Sequence, residues 1–125
     1  MKKQILILEW DTNSRHYFRS AIRLLPETES IITEDPNEAI DFFRMIKPDL
    51  VIINTHCRAQ LCADFIAAFE SMKKINLETI FIATSAEVIN FKIEQAQALG
   101  FSGLLSKPFL VNEFHGLMKT YLKIK

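Results

Sequence analysis

The run Pro48–Asn54 limits the fold of this chain more than any other stretch of its sequence. It reads PDLVIIN, in which a proline leads into a continuous apolar, largely β-branched run that one small polar residue closes. Such a run predicts a strand buried on both faces, as in the middle of a parallel sheet. Functional groups of open α/β sheets lie just beyond the carboxyl ends of the strands. We therefore expect a functional group at Asn54.

Short apolar runs alternate with segments of helical periodicity along the rest of the chain. Strands are predicted at 5–8, 30–33, 79–83 and 103–105, and helices at about 12–25, 35–47, 59–73, 87–99 and 110–122. This alternation predicts a parallel sheet with helices on both faces, because each right-handed crossover carries a helix. No glycine-rich phosphate loop follows the first strand, which argues against a nucleotide-binding Rossmann domain or a P-loop enzyme.

Local signals mark where the helices begin and end. Asp35, Pro36 and Glu38 form a strong helix start, in which Asp35 caps the helix and Glu38 completes a capping box. One of residues 12–14 is expected to cap the first helix. Gly116 inside the last helix costs about 1 kcal/mol relative to alanine, so we expect the packing around it to compensate.

Length, charge and hydropathy exclude several classes of protein. A chain of 125 residues fits one domain, spanning residues 1–125. Its 15 basic and 15 acidic residues balance, which argues against nucleic acid or an anionic membrane surface as the main partner. No apolar run is long enough to span a bilayer and the N-terminus lacks a secretory pattern, so we predict a cytoplasmic protein.

The chain has two cysteines, Cys57 and Cys62. In a cytoplasmic protein we expect them to be reduced thiols. Together with His56 they could suggest a metal site, but their spacing is not that of a zinc knuckle. We therefore expect packed or solvated loop residues there, and no metal.

The C-terminal half carries a more specific pattern. Ser85 followed by alanine, Gly100, Gly103 and the Lys-Pro-Phe sequence at 107–109 stand at a characteristic spacing, and 49–52 is a matching strand. On these residues the chain resembles, over its whole length, the CheY-type receiver domains of bacterial two-component response regulators. The resemblance implies a CheY-like, flavodoxin-like (βα)5 three-layer α/β sandwich with a parallel five-stranded sheet of order 2-1-3-4-5.

The site of these receivers is only partly preserved here. In the family, two acids after the first strand hold Mg²⁺, and an aspartate that ends the third strand accepts the phosphoryl group. A hydroxyl after the fourth strand and a lysine before a cis-proline complete the site, and an aromatic on the fifth strand switches rotamer. By the resemblance, these roles fall in turn on Glu9 and Trp10, Asn54, Ser85, Lys107 with Pro108, and Leu104. The acceptor, one acid and the switch aromatic are therefore replaced.

The residues present do not suit a phosphoacceptor. Asn54 has an uncharged amide, which is a very poor nucleophile. Mg²⁺ prefers a near-octahedral shell of oxygens that usually includes carboxylates, and Trp10 replaces one of these with a large ring. Asp11 could restore part of the charge from one position further along the loop. We predict no cofactor, weak or absent Mg²⁺ binding, no phosphoryl acceptance and no enzymatic activity.

Lys107 has thereby lost its usual anionic partner. An unpaired ammonium in a semi-buried cleft is costly, so we expect Glu9 to pair with Lys107 while the side-chain oxygen of Asn54 accepts a hydrogen bond. No base and acid orient Ser85 in the sequence, so it is expected to cap the following helix and not to act as a nucleophile.

The face of the fourth helix, fifth strand and fifth helix is the usual docking surface of receivers. Here it carries several apolar residues, and a contiguous exposed apolar patch usually marks an interface. We predict a partner surface there, with ordinary core packing as the alternative, formed by Val88, Phe91, Leu104 and Leu110.

The sequence as a whole indicates a degenerate receiver, or pseudo-receiver, that signals through protein contacts and independently of its own phosphorylation. Its expected partners are a histidine kinase, an output domain or another signalling protein, and a homodimer through the same face is left open. One alternative is an atypical receiver phosphorylated on another residue. Others are a small-ligand or metal sensor that uses the cleft around Trp10 and Lys107, and the receiver part of a longer regulator.

Overall fold

Strands and helices alternate along the chain in the computed structural model, which describes residues 2–124. None of the helices in this range is long and apolar enough to cross a membrane. The strands are β1 (Lys3–Leu8), β2 (Thr28–Thr33), β3 (Leu50–Asn54), β4 (His56–Cys57), β5 (Gln60–Leu61), β6 (Ile80–Ala86) and β7 (Gly103–Lys107). The helices are α1 (Thr12–Arg23), α2 (Pro36–Ile46), α3 (Ala63–Ile75), α4 (Ile93–Leu99) and α5 (Val111–Leu122), with a 3-10 turn at Glu87–Ile89.

Five parallel strands form the main sheet in the order β2-β1-β3-β6-β7. This is the predicted order 2-1-3-4-5, because β4 and β5 form a separate antiparallel hairpin. β3 lies in the middle of the sheet between β1 and β6, and all of its residues are buried. The prediction that Pro48–Asn54 contains the central buried strand is confirmed.

Successive side chains of β3 enter two different cores, one on each face of the sheet. Ile52 packs among residues of α1 and α5, such as Phe18 and Phe114. Ile53 packs on the opposite face among residues of α2 and α3, such as Phe43. The alternation follows from the two-residue period of a strand. It produces the three layers of the predicted CheY-like α/β sandwich.

Two helix starts depend on carboxylates. Asp35 caps α2 as predicted, but Glu38 makes no direct hydrogen bond to the backbone of Asp35. The Glu38 carboxylate accepts a hydrogen bond from the hydroxyl of Thr33. The same Thr33 oxygen accepts the backbone N–H of Asp35. α1 is capped by Asp11, which accepts the backbone N–H of Ser14. The prediction of a cap within residues 12–14 was therefore one residue too late.

The larger differences from the predicted elements lie in loops. Loop residues were expected around His56 and the cysteines and a helix from about residue 59, but β4 and β5 make a hairpin there and α3 begins only at Ala63. The helix predicted at 87–99 is interrupted after the 3-10 turn, where Asn90 adopts φ 60° in the left-handed region.

Gly116 lies exposed in α5. A Cβ at this position would meet no atom within 4 Å. The expectation that packing compensates for this glycine is therefore wrong, because nothing packs against it.

Candidate functional site

Glu9, Asn54 and Lys107 meet at the carboxyl edge of the sheet, where β1, β3 and β7 end. Glu9 is fully buried, and Lys107 Nζ donates to its Oε1 at 2.9 Å. Asn54 Nδ2 donates to the other carboxylate oxygen, Oε2, at 2.7 Å. These three residues are called the Glu9 cluster below. The predicted pairing of Glu9 with Lys107 is confirmed.

The remaining polar groups of the Glu9 cluster also form hydrogen bonds. Lys107 Nζ donates a second hydrogen bond to Ser14 Oγ at 3.0 Å. The side-chain oxygen of Asn54 accepts a hydrogen bond, as predicted, and its donor is the backbone N–H of His56 at 3.2 Å. No buried side-chain nitrogen or oxygen within residues 2–124 lacks a hydrogen-bond partner. The cluster is therefore satisfied without a ligand.

Asp11 is committed to the start of α1. Its carboxylate accepts the backbone N–H of Ser14 at 2.9 Å, and its own N–H donates to Glu9 Oε2 at 3.0 Å. The hydrogen bond from Ser14 lowers the pKa of Asp11, with help from the charges of Lys107 and Arg15 and against a smaller effect of burial. Asp11 is thus ionised at neutral pH, and its carboxylate caps the N-terminus of α1.

These groups do not fit Mg²⁺ well. The negative charge of Glu9 is matched by Lys107, and both Glu9 carboxylate oxygens already accept hydrogen bonds. A divalent cation would have to displace an ammonium group from a buried carboxylate, and neutral Asn54 and Trp10 would offer no charge in return.

Trp10 bridges the two loops that border the Glu9 cluster. Its indole Nε1 donates to the backbone oxygen of His56 at 2.7 Å, while 39% of the residue stays exposed. On one side it lines a cavity of about 560 Å³ with Tyr17, Phe109 and Pro108. The Lys107–Pro108 peptide bond is cis, as the resemblance implied. On the other side Trp10 lines a cleft of about 510 Å³ that reaches Asn54.

His56 is the residue of this region that sequence reasoning undervalued. Its Nδ1 lies 3.2 Å from Ser85 Oγ and 2.8 Å from Thr55 Oγ1, and its ring packs edge-on against Phe91. Burial lowers the pKa of His56. Its position two residues beyond the buried strand was the signal that could have drawn attention to it, but it was considered only as a metal ligand.

The expected capping role of Ser85 is wrong. The 3-10 turn begins after Ala86, and no side chain caps it. Ser85 is buried and contacts His56 instead, because its strand β6 continues as far as Ala86 and leaves Ser85 inside the sheet edge.

Cys57 and Cys62 are joined in a disulfide, so the expectation of reduced thiols is wrong for this structure. The hairpin brings their Cα atoms to 5.0 Å, within the range that a disulfide requires. The expectation rested on a predicted cytoplasmic location, and it did not include a hairpin that holds the two cysteines opposite each other.

The residues of the predicted partner surface differ in exposure. Val88 is 91% exposed and Leu110 is 65% exposed. Phe91 and Leu104 are half-buried and pack against the core on the α2–α3 face. Two of the four residues are thus free to meet a partner, while the other two also contribute to packing. The surface itself stays a prediction.

Comparison with known proteins gives a similarity of structure alone. No family model and no curated protein sequence matches this chain. A response regulator from Thermotoga maritima is 16% identical, with a TM-score of 0.82 over 99% of this chain and 100% of that one. A response regulator receiver domain from Clostridium thermocellum is 15% identical, with a TM-score of 0.78 over 97% and 94%. NtrX from Brucella abortus, in complex with ADP, is 18% identical, with a TM-score of 0.83 over 98% of this chain but 26% of NtrX.

At identities this low, the similarity establishes the fold and not a shared site. The strand order and the positions of the five helices agree with it. The chain therefore has the CheY-like fold of response regulator receiver domains.

Proposed function

We propose that this chain is a receiver-like signalling module that acts by binding protein partners and is not phosphorylated at the receiver site. The observation that carries the proposal is the hydrogen bond from Asn54 Nδ2 to buried Glu9 at 2.7 Å. A phosphoacceptor needs an ionised carboxylate at this position as the nucleophile. The amide is neutral, and its nitrogen donates to the neighbouring carboxylate.

The proposal extends to the absence of a cofactor and of enzymatic activity. A conventional receiver catalyses its own phosphotransfer, and the acceptor and one metal acid of that chemistry are replaced here. Glu9 and Lys107 neutralise each other, so the Glu9 cluster has no excess negative charge with which to attract Mg²⁺. The module would then hold one arrangement of its site whether or not a phosphodonor is present.

Protein partners are proposed to dock beside the 3-10 turn and the start of α5, where Val88 and Leu110 are exposed. A histidine kinase, an output domain or another signalling protein would be the partner class, and a second copy of the chain is the other candidate. The balance of 15 basic and 15 acidic residues favours protein over nucleic acid.

Phosphotransfer with an intact-mass readout tests the first part of the proposal. The protein is incubated with acetyl phosphate and Mg²⁺, and separately with a phosphorylated histidine kinase. We expect no gain of a phosphoryl group. A gain that persists in Asn54→Ala but disappears in Asp11→Asn would identify an atypical receiver, and a gain that disappears in Asn54→Ala would overturn the proposal directly.

Partner capture tests the second part. Wild type, Asn54→Asp and a Val88→Glu/Leu110→Glu variant are compared as baits, with size-exclusion chromatography of each to report self-association. We expect the double variant to lose the partner that wild type binds, because two charges replace the exposed apolar contacts. Equal capture by the double variant would show that docking uses another surface.

The cavity of about 560 Å³ beside Trp10 supports a second candidate function, the sensing of a small ligand. Its size lies in the range of small-molecule sites, and four aromatic residues contribute to its lining together with the charged side chains of Lys107 and Asp11. A thermal-shift screen of small aromatic acids tests this candidate, since a ligand well above its Kd stabilises the folded state. The stabilisation should disappear in Trp10→Ala.

A further inference from the structure

The Cys57–Cys62 disulfide closes a hairpin whose residues Arg58 and Ala59 line the cleft that reaches Asn54, and the proposed function makes no use of it. The hairpin turns at Arg58, whose φ is 62°, and holds the two cysteine Cα atoms 5.0 Å apart. A two-stranded hairpin is only marginally stable by itself. The covalent link therefore has a large influence on whether this segment keeps its shape.

Both cysteines can be reached by a reagent in solution. Cys57 and Cys62 are half-buried, and every residue between them, 58–61, is exposed. Cys62 is also the N-cap residue of α3, whose first turn it closes by accepting the N–H of Ile66. A helix N-terminus favours the thiolate form of a cysteine, which makes Cys62 the better leaving group in thiol–disulfide exchange.

The hairpin is tied to the cleft through the residue next to Cys57. The backbone oxygen of His56 accepts the indole N–H of Trp10 at 2.7 Å, and the backbone N–H of His56 donates to Asn54 at 3.2 Å. Since His56 and Cys57 together form β4, loosening the hairpin would disturb the contacts to both Trp10 and Asn54.

The other chemistry open to a pair of cysteines is metal binding. Within residues 2–124, no group of three or more histidine, cysteine, aspartate or glutamate side chains is placed to hold a metal ion. Exchange with other thiols is the reaction that the accessible pair can support.

We propose that Cys57 and Cys62 form a reversible redox site that exchanges with a dithiol, and that its state sets how firmly the hairpin closes over the cleft. In reduction, a thiolate of the dithiol attacks Sγ of Cys57. The disulfide bond breaks and its electron pair leaves with Cys62, which takes up a proton.

The second thiol of the reductant then attacks the mixed disulfide, releases Cys57 and completes the reductant's own disulfide. In total the dithiol gives two electrons and two protons to the protein. Oxidised glutathione reverses the reaction, with its two sulfurs leaving as reduced glutathione.

The test uses the 125-residue chain, whose two cysteines are Cys57 and Cys62 and whose one tryptophan is Trp10. Native protein is treated with dithiothreitol without denaturant and then blocked with N-ethylmaleimide, and intact mass counts the adducts. We expect no adduct before reduction, two after it, and none after reoxidation with oxidised glutathione. The emission maximum of Trp10 should shift with the adduct count, because the indole loses its partner in the hairpin.

Reduction that requires denaturant, or thiols that oxidised glutathione does not link, would overturn the reversible site. Two adducts with constant Trp10 emission would overturn the proposed coupling between the redox state of the cysteines and the cleft. Circular dichroism of the reduced wild type must stay unchanged, since a loss of helical signal would mean unfolding and would also overturn the proposal. In Cys57→Ser/Cys62→Ser, Trp10 emission should not respond to dithiothreitol, and a persisting response would contradict it.

Discussion

The Glu9 cluster and the β4–β5 hairpin share one edge of the sheet but are held there in opposite ways. The cluster is anchored by three long parallel strands, and Glu9 at its centre is fully buried. The hairpin consists of two short strands whose turn is exposed, and it depends on one covalent link and a few hydrogen bonds. The first region is fixed by the core of the fold, whereas the second meets that core mainly through buried His56 and half-buried Cys62.

This difference suggests where function is carried. Receivers of the CheY type place their chemistry where the Glu9 cluster lies, but here that place is closed by internal hydrogen bonds. The exposed and adjustable groups lie around it, at Trp10, in the hairpin and at Val88. A fold can keep its architecture while its site changes independently, because the core pattern and the site use different residues.

The largest predicted effect comes from breaking the buried pair of the Glu9 cluster. Lys107→Met leaves the buried Glu9 carboxylate without its cation, and should lower the free energy of unfolding by about 3–5 kcal/mol. Urea denaturation followed by circular dichroism measures the change. The double variant Glu9→Gln/Lys107→Met should recover most of the loss, because no buried charge is then left unpaired.

The pair Arg15–Glu34 is the control for that experiment, because its cation is as little exposed as Lys107 while its carboxylate is exposed. Glu34 is 66% exposed, so Glu34→Gln should cost less than about 1 kcal/mol. If Lys107→Met proved no more costly than this control, the Glu9 cluster would be screened by solvent and the contrast between the two regions would fail.

A smaller effect is expected from restoring acidity at the end of β3. Asn54→Asp removes the donor to Glu9 and places a second carboxylate beside the first, which should cost about 1–3 kcal/mol. Mg²⁺ should raise the melting temperature of this variant, since the site then has excess negative charge. Asn54→Ala, which removes the donor without adding charge, should be destabilised but should not respond to Mg²⁺.

The stability of the protein is expected to depend on pH through His56, which lies in the hairpin. Burial lowers the pKa of His56 below its ordinary value of 6.5, so the unfolded chain binds a proton at this residue before the folded protein does. Stability should therefore fall as pH drops below 6.5 toward the lowered value, and the melting temperature measures it. The fall should be reduced in His56→Gln, because position 56 then binds no proton in either state.

The smallest predicted change in stability comes from a substitution at Gly116, which is remote from both regions. Gly116→Ala should stabilise the protein by about 1 kcal/mol, because the new methyl group meets nothing and α5 gains helix propensity. Gly100→Ala is the opposite case, since Gly100 has φ 111°, a backbone conformation that alanine adopts only with strain. A stabilised Gly100→Ala would contradict the geometry at the end of α4.

The parts of the structure that could be predicted from sequence are those with a repeating pattern or an unbalanced charge. The buried run ending at Asn54 predicted the central strand, and alternation with helices predicted the sheet. The pairing of Glu9 with Lys107 followed from the cost of leaving a semi-buried ammonium alone. Each of these depends on a local pattern or on one strong energetic requirement.

The hairpin and its contacts could not be predicted, because two-residue strands have no periodicity to detect. The disulfide depends on the Cα atoms of Cys57 and Cys62 being brought together, and the contact of Ser85 with His56 depends on the exact end of β6. The contact of Ser85 with His56 arises from packing between elements that are distant in sequence.

The central claim, that the Glu9 cluster is complete without a metal or a phosphoryl group, is tested most directly by the fluorescence of Trp10. Its indole lies at the border of the cluster and is the one tryptophan of the chain. Wild type is titrated with Mg²⁺ to millimolar concentrations and then given acetyl phosphate, beside Asn54→Asp. We expect a flat response for wild type and a saturable response to Mg²⁺ for the variant. A saturable response of the wild type, enhanced by acetyl phosphate, would contradict the account.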